Sequence, residues 1–182
     1  MADKEPMSPL RNRAISLSGL FIALGWLLPT IFHAVGLGSI FLPMFWPVAM
    51  AAFFLPWSFA LFVAAATPLL SSLLTGMPPI SPPILHLMVA ELVSLAGTVI
   101  WLRRVSRLGL FWLLFTGLLV SRVVCFFAAM TLAGLFGLPP SWSGLAMVLK
   151  GMPGIIAMLF ILPPWLHRLT HESVFKQRER HG

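Results

Sequence analysis

Three ionisable side chains, Glu91, Arg122 and Lys150, lie inside long apolar stretches of this 182-residue chain. A charge facing lipid at bilayer depth costs roughly 2.5–3.5 kcal/mol even on lenient insertion scales, so such groups face a bundle interior, pair, or contact a substrate. One carboxylate, one guanidinium and one ammonium sum to +1. Facing one another, they would form a small polar cavity that favours an anionic group. Arg122 offers a two-pronged contact to a carboxylate or phosphate, and Lys150 a point charge. The alternative is a Glu91–Arg122 or Glu91–Lys150 pair that only ties helices together. The stem of Lys150 is also long enough to snorkel to an interface.

Other reactive side chains form no recognisable constellation. His33 and His86 fall near span ends, where both could line one mouth. His86 and Glu91 are five residues apart and so sit on rather different helix faces. No His/Cys/Asp/Glu spacing suits a metal. There is no Ser/His/Asp set, no Gly-rich phosphate loop and no paired carboxylate. Glu91 is the sole acid within the apolar stretches, which argues against a proton relay and against most intramembrane hydrolases. Cys125, the single cysteine, reads as a small packing residue. Trp142 could cap a ligand or anchor a loop at the interface. Met44 and Met77 could form an adaptable apolar lid or simply pack their loops.

These residues need a membrane bundle to position them. The chain is 59% hydrophobic and 9% charged, with mean hydropathy +0.96, against about 25% charged residues in soluble domains. The reading is an all-α integral membrane protein with six transmembrane helices. The spans are placed at about 13–34, 45–56, 58–75, 84–102, 108–136 and 145–166. The last is interrupted near Pro153-Gly154 and stopped by Pro163-Pro164. The first apolar stretch is too long for a signal-peptide core and reads as an uncleaved span.

Most other charges fall in the N-terminal tail, in the run Arg103, Arg104 and Arg107, and in the C-terminal tail. The positive-inside rule then places both termini in the cytoplasm. The opposite loops, near 35–44, 76–83 and 137–144, carry no Lys, Arg, Asp or Glu; a transporter or receptor would build its ligand entrance there, and the alternative is a set of ordinary outer connections. Residues 1–12 form a cytoplasmic tail, 13–169 the membrane domain and 170–182 a basic cytoplasmic tail. The net charge of +7 reads as topology, not nucleic-acid binding, because the basic clusters carry no interleaved stacking aromatics. Gly19-x-x-x-Ala23 in the first span allows close approach of another helix.

The segments Gly38-Ser39-Ile40-Phe41-Leu42-Pro43-Met44, Pro47-Val48, Pro68 through Pro79, Glu91-Leu92, Ser121-Arg122-Val123 and Lys150-Gly151-Met152-Pro153-Gly154-Ile155-Ile156 together resemble the substrate-binding S components of energy-coupling factor (ECF) vitamin transporters. The resemblance implies a six-helix protein of a prokaryotic inner membrane that binds a vitamin-like micronutrient from outside. It implies a transmembrane coupling subunit and two cytoplasmic ATPase subunits as partners, so that ATP is used by the partners and this chain needs no cofactor. The pocket would draw on spans four to six and the outer loops, with Gly19 and Ala23 against the coupling subunit. Phe45 stands where relatives often carry histidine after Leu-Pro-Met, which implies a changed pocket lid and so a changed substrate.

The expectation is thus a binding protein that performs no covalent chemistry, with Glu91, Arg122, Lys150, His86, Met44, Phe45 and Trp142 around the ligand. The alternatives are a non-transporting membrane scaffold or assembly subunit, whose charges would be structural, and a small intramembrane enzyme, which would need more polar groups at one depth.

Overall fold

In a computed structural model, residues 9–81, 83–137 and 144–178 are described. They form eight helices: α1 (Pro9–Ala34), α2 (Gly38–Phe41), α3 (Phe45–Phe54), α4 (Trp57–Thr75), α5 (Ile84–Val105), α6 (Leu110–Phe136), α7 (Gly144–Lys150) and α8 (Met152–Arg178). Five of them, α1, α4, α5, α6 and the first part of α8, are long and apolar enough to cross a membrane. The six expected spans thus map onto five long helices and α3, which has ten residues. At 1.5 Å per residue α3 is about 15 Å long, half of the roughly 30 Å hydrocarbon core.

Shortness suits α3 to the centre of the bundle. Phe45, Val48, Ala49, Ala51 and Ala52 are fully buried, and the small alanines let α1, α4 and α5 close around it. Its C-terminal end is fixed by a cation. The Arg103 Nη1 donates to the Ala52 carbonyl at 2.6 Å, one of the last-turn acceptors that lack an intrahelical donor. The same guanidinium lies 5.7 Å from the Phe53 ring centroid, and Arg104 lies 5.6 Å from that of Trp57. The basic run expected to mark one membrane face therefore also holds the α3–α4 turn level with the end of α5.

Helices α5 and α6 form an antiparallel pair. A Cβ on Gly117 would stand 2.6 Å from Val99 Cγ2 and 3.1 Å from Leu95 Cδ1, so the missing side chain sets how closely they approach. Gly25 does the same between α1 and α4, where a Cβ would meet Thr67 Cγ2. The main apolar core runs from Phe21 through Phe45, Leu92, Leu114 and Met158 to Leu166. A smaller cluster of Leu87, Cys125 and Ala129, joined by Val148 of α7, lies toward the other end of α5 and α6.

The interruption expected near Pro153-Gly154 is present; it does not sit on that pair itself but just before it, at Gly151, between α7 and α8. Pro153 occupies the first turn of α8, where its missing N–H would have had no helical partner in any case. One expectation about the last span is corrected: Pro163-Pro164 does not stop the helix, which runs through both to Arg178. Membrane helices tolerate prolines because neighbouring helices and local adjustments re-satisfy the freed carbonyls. Part of the stretch read as a C-terminal tail is therefore helical. The short helix α2 within the loop 35–44 was also not expected.

Gly117→Val should destabilise the protein by about 1–3 kcal/mol through overpacking of the α5–α6 contact. Gly134→Val on the same helix, where a Cβ meets nothing within 4 Å, should change stability little. Thermal unfolding in detergent, followed by circular dichroism, compares the two.

Candidate functional site

Glu91 lies in the third turn of α5 and Arg122 midway along α6. Both face inward and are only 4% and 7% exposed. The antiparallel register set by Gly117 brings them together: Arg122 Nη2 lies 2.5 Å from Glu91 Oε1. Neither helix therefore presents its charge to lipid. The Cys125 thiol, one turn beyond Arg122, lies beside the Glu91 carboxylate. The pair sits where the main core gives way to the Leu87–Cys125–Ala129 cluster.

Two irregular segments converge on the guanidinium from the other side. The first is the α2–α3 corner. There Leu42 has φ +48° and ψ +53°, a left-handed conformation that is uncommon for a residue with a side chain. The chain then turns through Pro43 and Met44 into α3, and Arg122 Cζ lies 5.0 Å from the centroid of the fully buried Phe45 ring. A cation on an aromatic face in a desolvated setting is worth about 2 kcal/mol. The second segment is the α7–α8 break. A Cβ on Gly151 would lie 2.8 Å from Leu42 Cδ1 and 3.1 Å from Arg122 Nη1. Only glycine lets the break approach the arginine this closely. Below it, a Cβ on Gly154 would clash with the Phe41 carbonyl at 2.6 Å, so the end of α2 rests directly on α8.

Charge compensation at this site is better than its hydrogen bonding. Arg122 Nε and Nη2 and Glu91 Oε1 are buried without an aligned hydrogen-bond partner. Nη2 and Oε1 are nevertheless each other's ion-pair partners at 2.5 Å, with the Cys125 thiol beside the same carboxylate. Each unsatisfied buried polar atom costs about 1–3 kcal/mol. Of these atoms, Arg122 Nε is the donor left facing no partner, whereas Nη2 and Oε1 remain paired as ions.

The other expected residues are placed differently. Lys150 ends α7, next to Gly151, but its side chain is exposed and forms no ion pair with Glu91. His86 is exposed on the first turn of α5 and makes no hydrogen bond or ion pair with either charge. Met44 is buried beside Phe45 in the main core, so it is a packed wall and not an exposed lid, whereas Met77 is exposed. Trp142 lies outside the described residues. The His33 ring covers Gly38 in α2. Gly19 and Ala23 share an exposed face of α1, with nothing within 4 Å of a Cβ on Gly19. Among the described residues no group of three His, Cys, Asp or Glu could hold a metal ion. Sequence reading missed Leu42, Gly151 and Cys125 as neighbours of the pair. The spacing of three between Arg122 and Cys125 could have placed the thiol on the same face, but nothing local marked the other two.

Arg122→Leu alone should destabilise the protein by about 3–5 kcal/mol, because it strands a buried carboxylate. Glu91→Leu/Arg122→Leu should recover most of that loss, and Lys150→Ala should stay within about 0.5 kcal/mol of the parent. Equilibrium unfolding of the three variants in mixed micelles measures the order. Compared with models of known protein families, with curated proteins and with solved structures, the chain matches none.

Proposed function

We propose that this chain is the substrate-specific S component of an ECF-type importer. It takes a small vitamin-like micronutrient with an anionic group from outside the cell and performs no covalent chemistry. In this reading six segments cross the inner membrane of a prokaryote, with α3 as the short one and both termini in the cytoplasm. A transmembrane coupling subunit would dock on the Gly19–Ala23 face of α1, and two ATPase subunits would supply ATP turnover. Arg122 would hold the anion, and Glu91 would take a donor from the ligand. Phe45 and Met44 would form the apolar wall. Lys150 and His86 would act at the rim, attracting the ligand without gripping it.

One observation carries the reading. Buried, unsatisfied Arg122 and Glu91 atoms lie where a left-handed corner and a glycine break meet. Transporters build midplane sites from interrupted helices, and irregular backbone at membrane depth is tolerated only where protein buries it or it lines a cavity. A second reading, a non-transporting scaffold subunit, is favoured by the near-complete burial of the pair, which suits a structural tie equally well.

Native mass spectrometry of the detergent-purified protein separates the two. Incubated with a panel of vitamins, the parent should retain one small molecule that Arg122→Ala and Glu91→Leu/Arg122→Leu both lose. The double variant keeps the interpretation clear if the single one unfolds. No retained molecule from any source, together with loss of folding in Arg122→Ala, would instead support the scaffold. Topology has its own check. A fluorescent reporter fused after Gly182 should be bright, and a periplasmic reporter inserted between Pro78 and Pro79 should be active.

A further inference from the structure

A groove of about 460 Å3 runs along the outside of α8, away from the Glu91–Arg122 pair. Its floor is Ile161, Pro164, Trp165 and Arg168, and Trp46 of α3 stands opposite. The four α8 positions follow the i, i+3, i+4, i+7 spacing of one helix face, so the groove is a continuous stripe and not a gap between unrelated atoms. It is open along its length, which suits a chain lying on the helix and not an enclosed ligand.

The walls are built. Trp46 Nε1 donates to the Phe41 carbonyl at 3.2 Å, which fixes the indole and leaves its apolar face to the groove. Pro164 has no N–H and keeps that part of the floor apolar. Ile161, Pro164, Trp165 and Arg168 are all exposed. Three apolar side chains and one cation along an α8 face, with no acid in the lining, match a molecule with a long apolar tail and an anionic head. From Ile161 to Arg168 the helix rises about 10 Å, most of the depth of one leaflet. The α8 part of the lining belongs to a segment apolar enough to cross a membrane, where lipid would be the surrounding medium. The Trp165 indole and Arg168, at the end of such a segment, suit the headgroup level.

We propose that this groove holds one anionic phospholipid of the surrounding bilayer, with its phosphate on Arg168 and an acyl chain along Trp165, Pro164 and Ile161 toward Trp46. The site does not depend on the transport reading, because none of its residues belongs to the Glu91–Arg122 site.

The test is native mass spectrometry of protein released from nanodiscs of equal parts phosphatidylglycerol and phosphatidylcholine. The parent should retain one phosphatidylglycerol in preference to phosphatidylcholine. Arg168→Gln should reduce that preference about fivefold, the factor expected for one basic residue near an anionic surface. Ile161→Trp, which fills the groove and keeps the charge, should reduce retention of both lipids. Arg107→Gln removes an exposed charge outside the groove and should behave as the parent. Equal losses in Arg107→Gln and Arg168→Gln would overturn the proposal, since they would indicate diffuse attraction to the whole basic surface. So would retention unchanged by Ile161→Trp. Circular dichroism of each variant confirms that these exposed substitutions leave the helices intact.

Discussion

The ion pair between Glu91 and Arg122 is the constraint to which the rest of the bundle is fitted. Two charges taken out of water need each other at close range, because each one alone would be stranded in a low-dielectric interior. That requirement fixes the rotation of α5 and α6 about their axes and their register. Shifting either helix by one residue would turn its charge about 100° away from the partner and into lipid or the apolar core. Gly117 then allows the close approach that brings the charges to 2.5 Å. The division of the core into a large cluster and a small one follows as well, since an ion pair interrupts apolar packing at its own level.

The other half of the architecture answers a different demand, that of backbone which is not helical at membrane depth. Helix α3 is about half as long as a hydrocarbon core is thick, and the chain between α1 and α3 fills the space beyond its N-terminal end. It does so with the single turn α2, whose end rests on Gly154, and with a left-handed Leu42. Carbonyls exposed by such a corner need donors, and the structure supplies one at each end of α3. Trp46 serves Phe41, and Arg103 serves Ala52. The basic residues at the end of α5 thus have a packing role. One of them closes the helix that brings Phe45 beneath Arg122.

The large features were legible in the sequence because bilayer physics acts on composition directly. Long apolar runs gave the helices, with most ends within a few residues, and the isolation of Glu91 and Arg122 within them marked the pair. What was not legible depends on three-dimensional approach. Pro163-Pro164 looked like a helix stop because the rule for soluble helices counts the missing donors, whereas α8 continues through them. Gly151 looked like an ordinary neighbour of Pro153, and its value lies in what a side chain there would strike, namely Leu42 and Arg122. Lys150 met the same criterion as Arg122, an ionisable group in an apolar run. Its position at the end of a seven-residue helix leaves its stem free to point outward, and the structure leaves it exposed.

The pair also restricts the chemistry of any ligand that enters it. A simple anion that drew Arg122 away from Glu91 would replace one ion pair by another and leave a buried carboxylate without compensation. Truncating one partner of a buried pair costs several kcal/mol for that reason, and a ligand that did the same would lose comparable affinity. A molecule that brings an acceptor for the guanidinium and, beside it, an N–H or O–H for Glu91 avoids the loss, because it extends the pair and does not break it. Arg122 Nε, a buried donor beside the paired Nη2 and Oε1, already presents the first of these demands. On the binding reading, a donor next to an anionic acceptor is therefore the feature to expect of the ligand, ahead of its net charge. Phe45 stacked on the guanidinium and Cys125 beside the carboxylate leave little room for anything broader than such a head group.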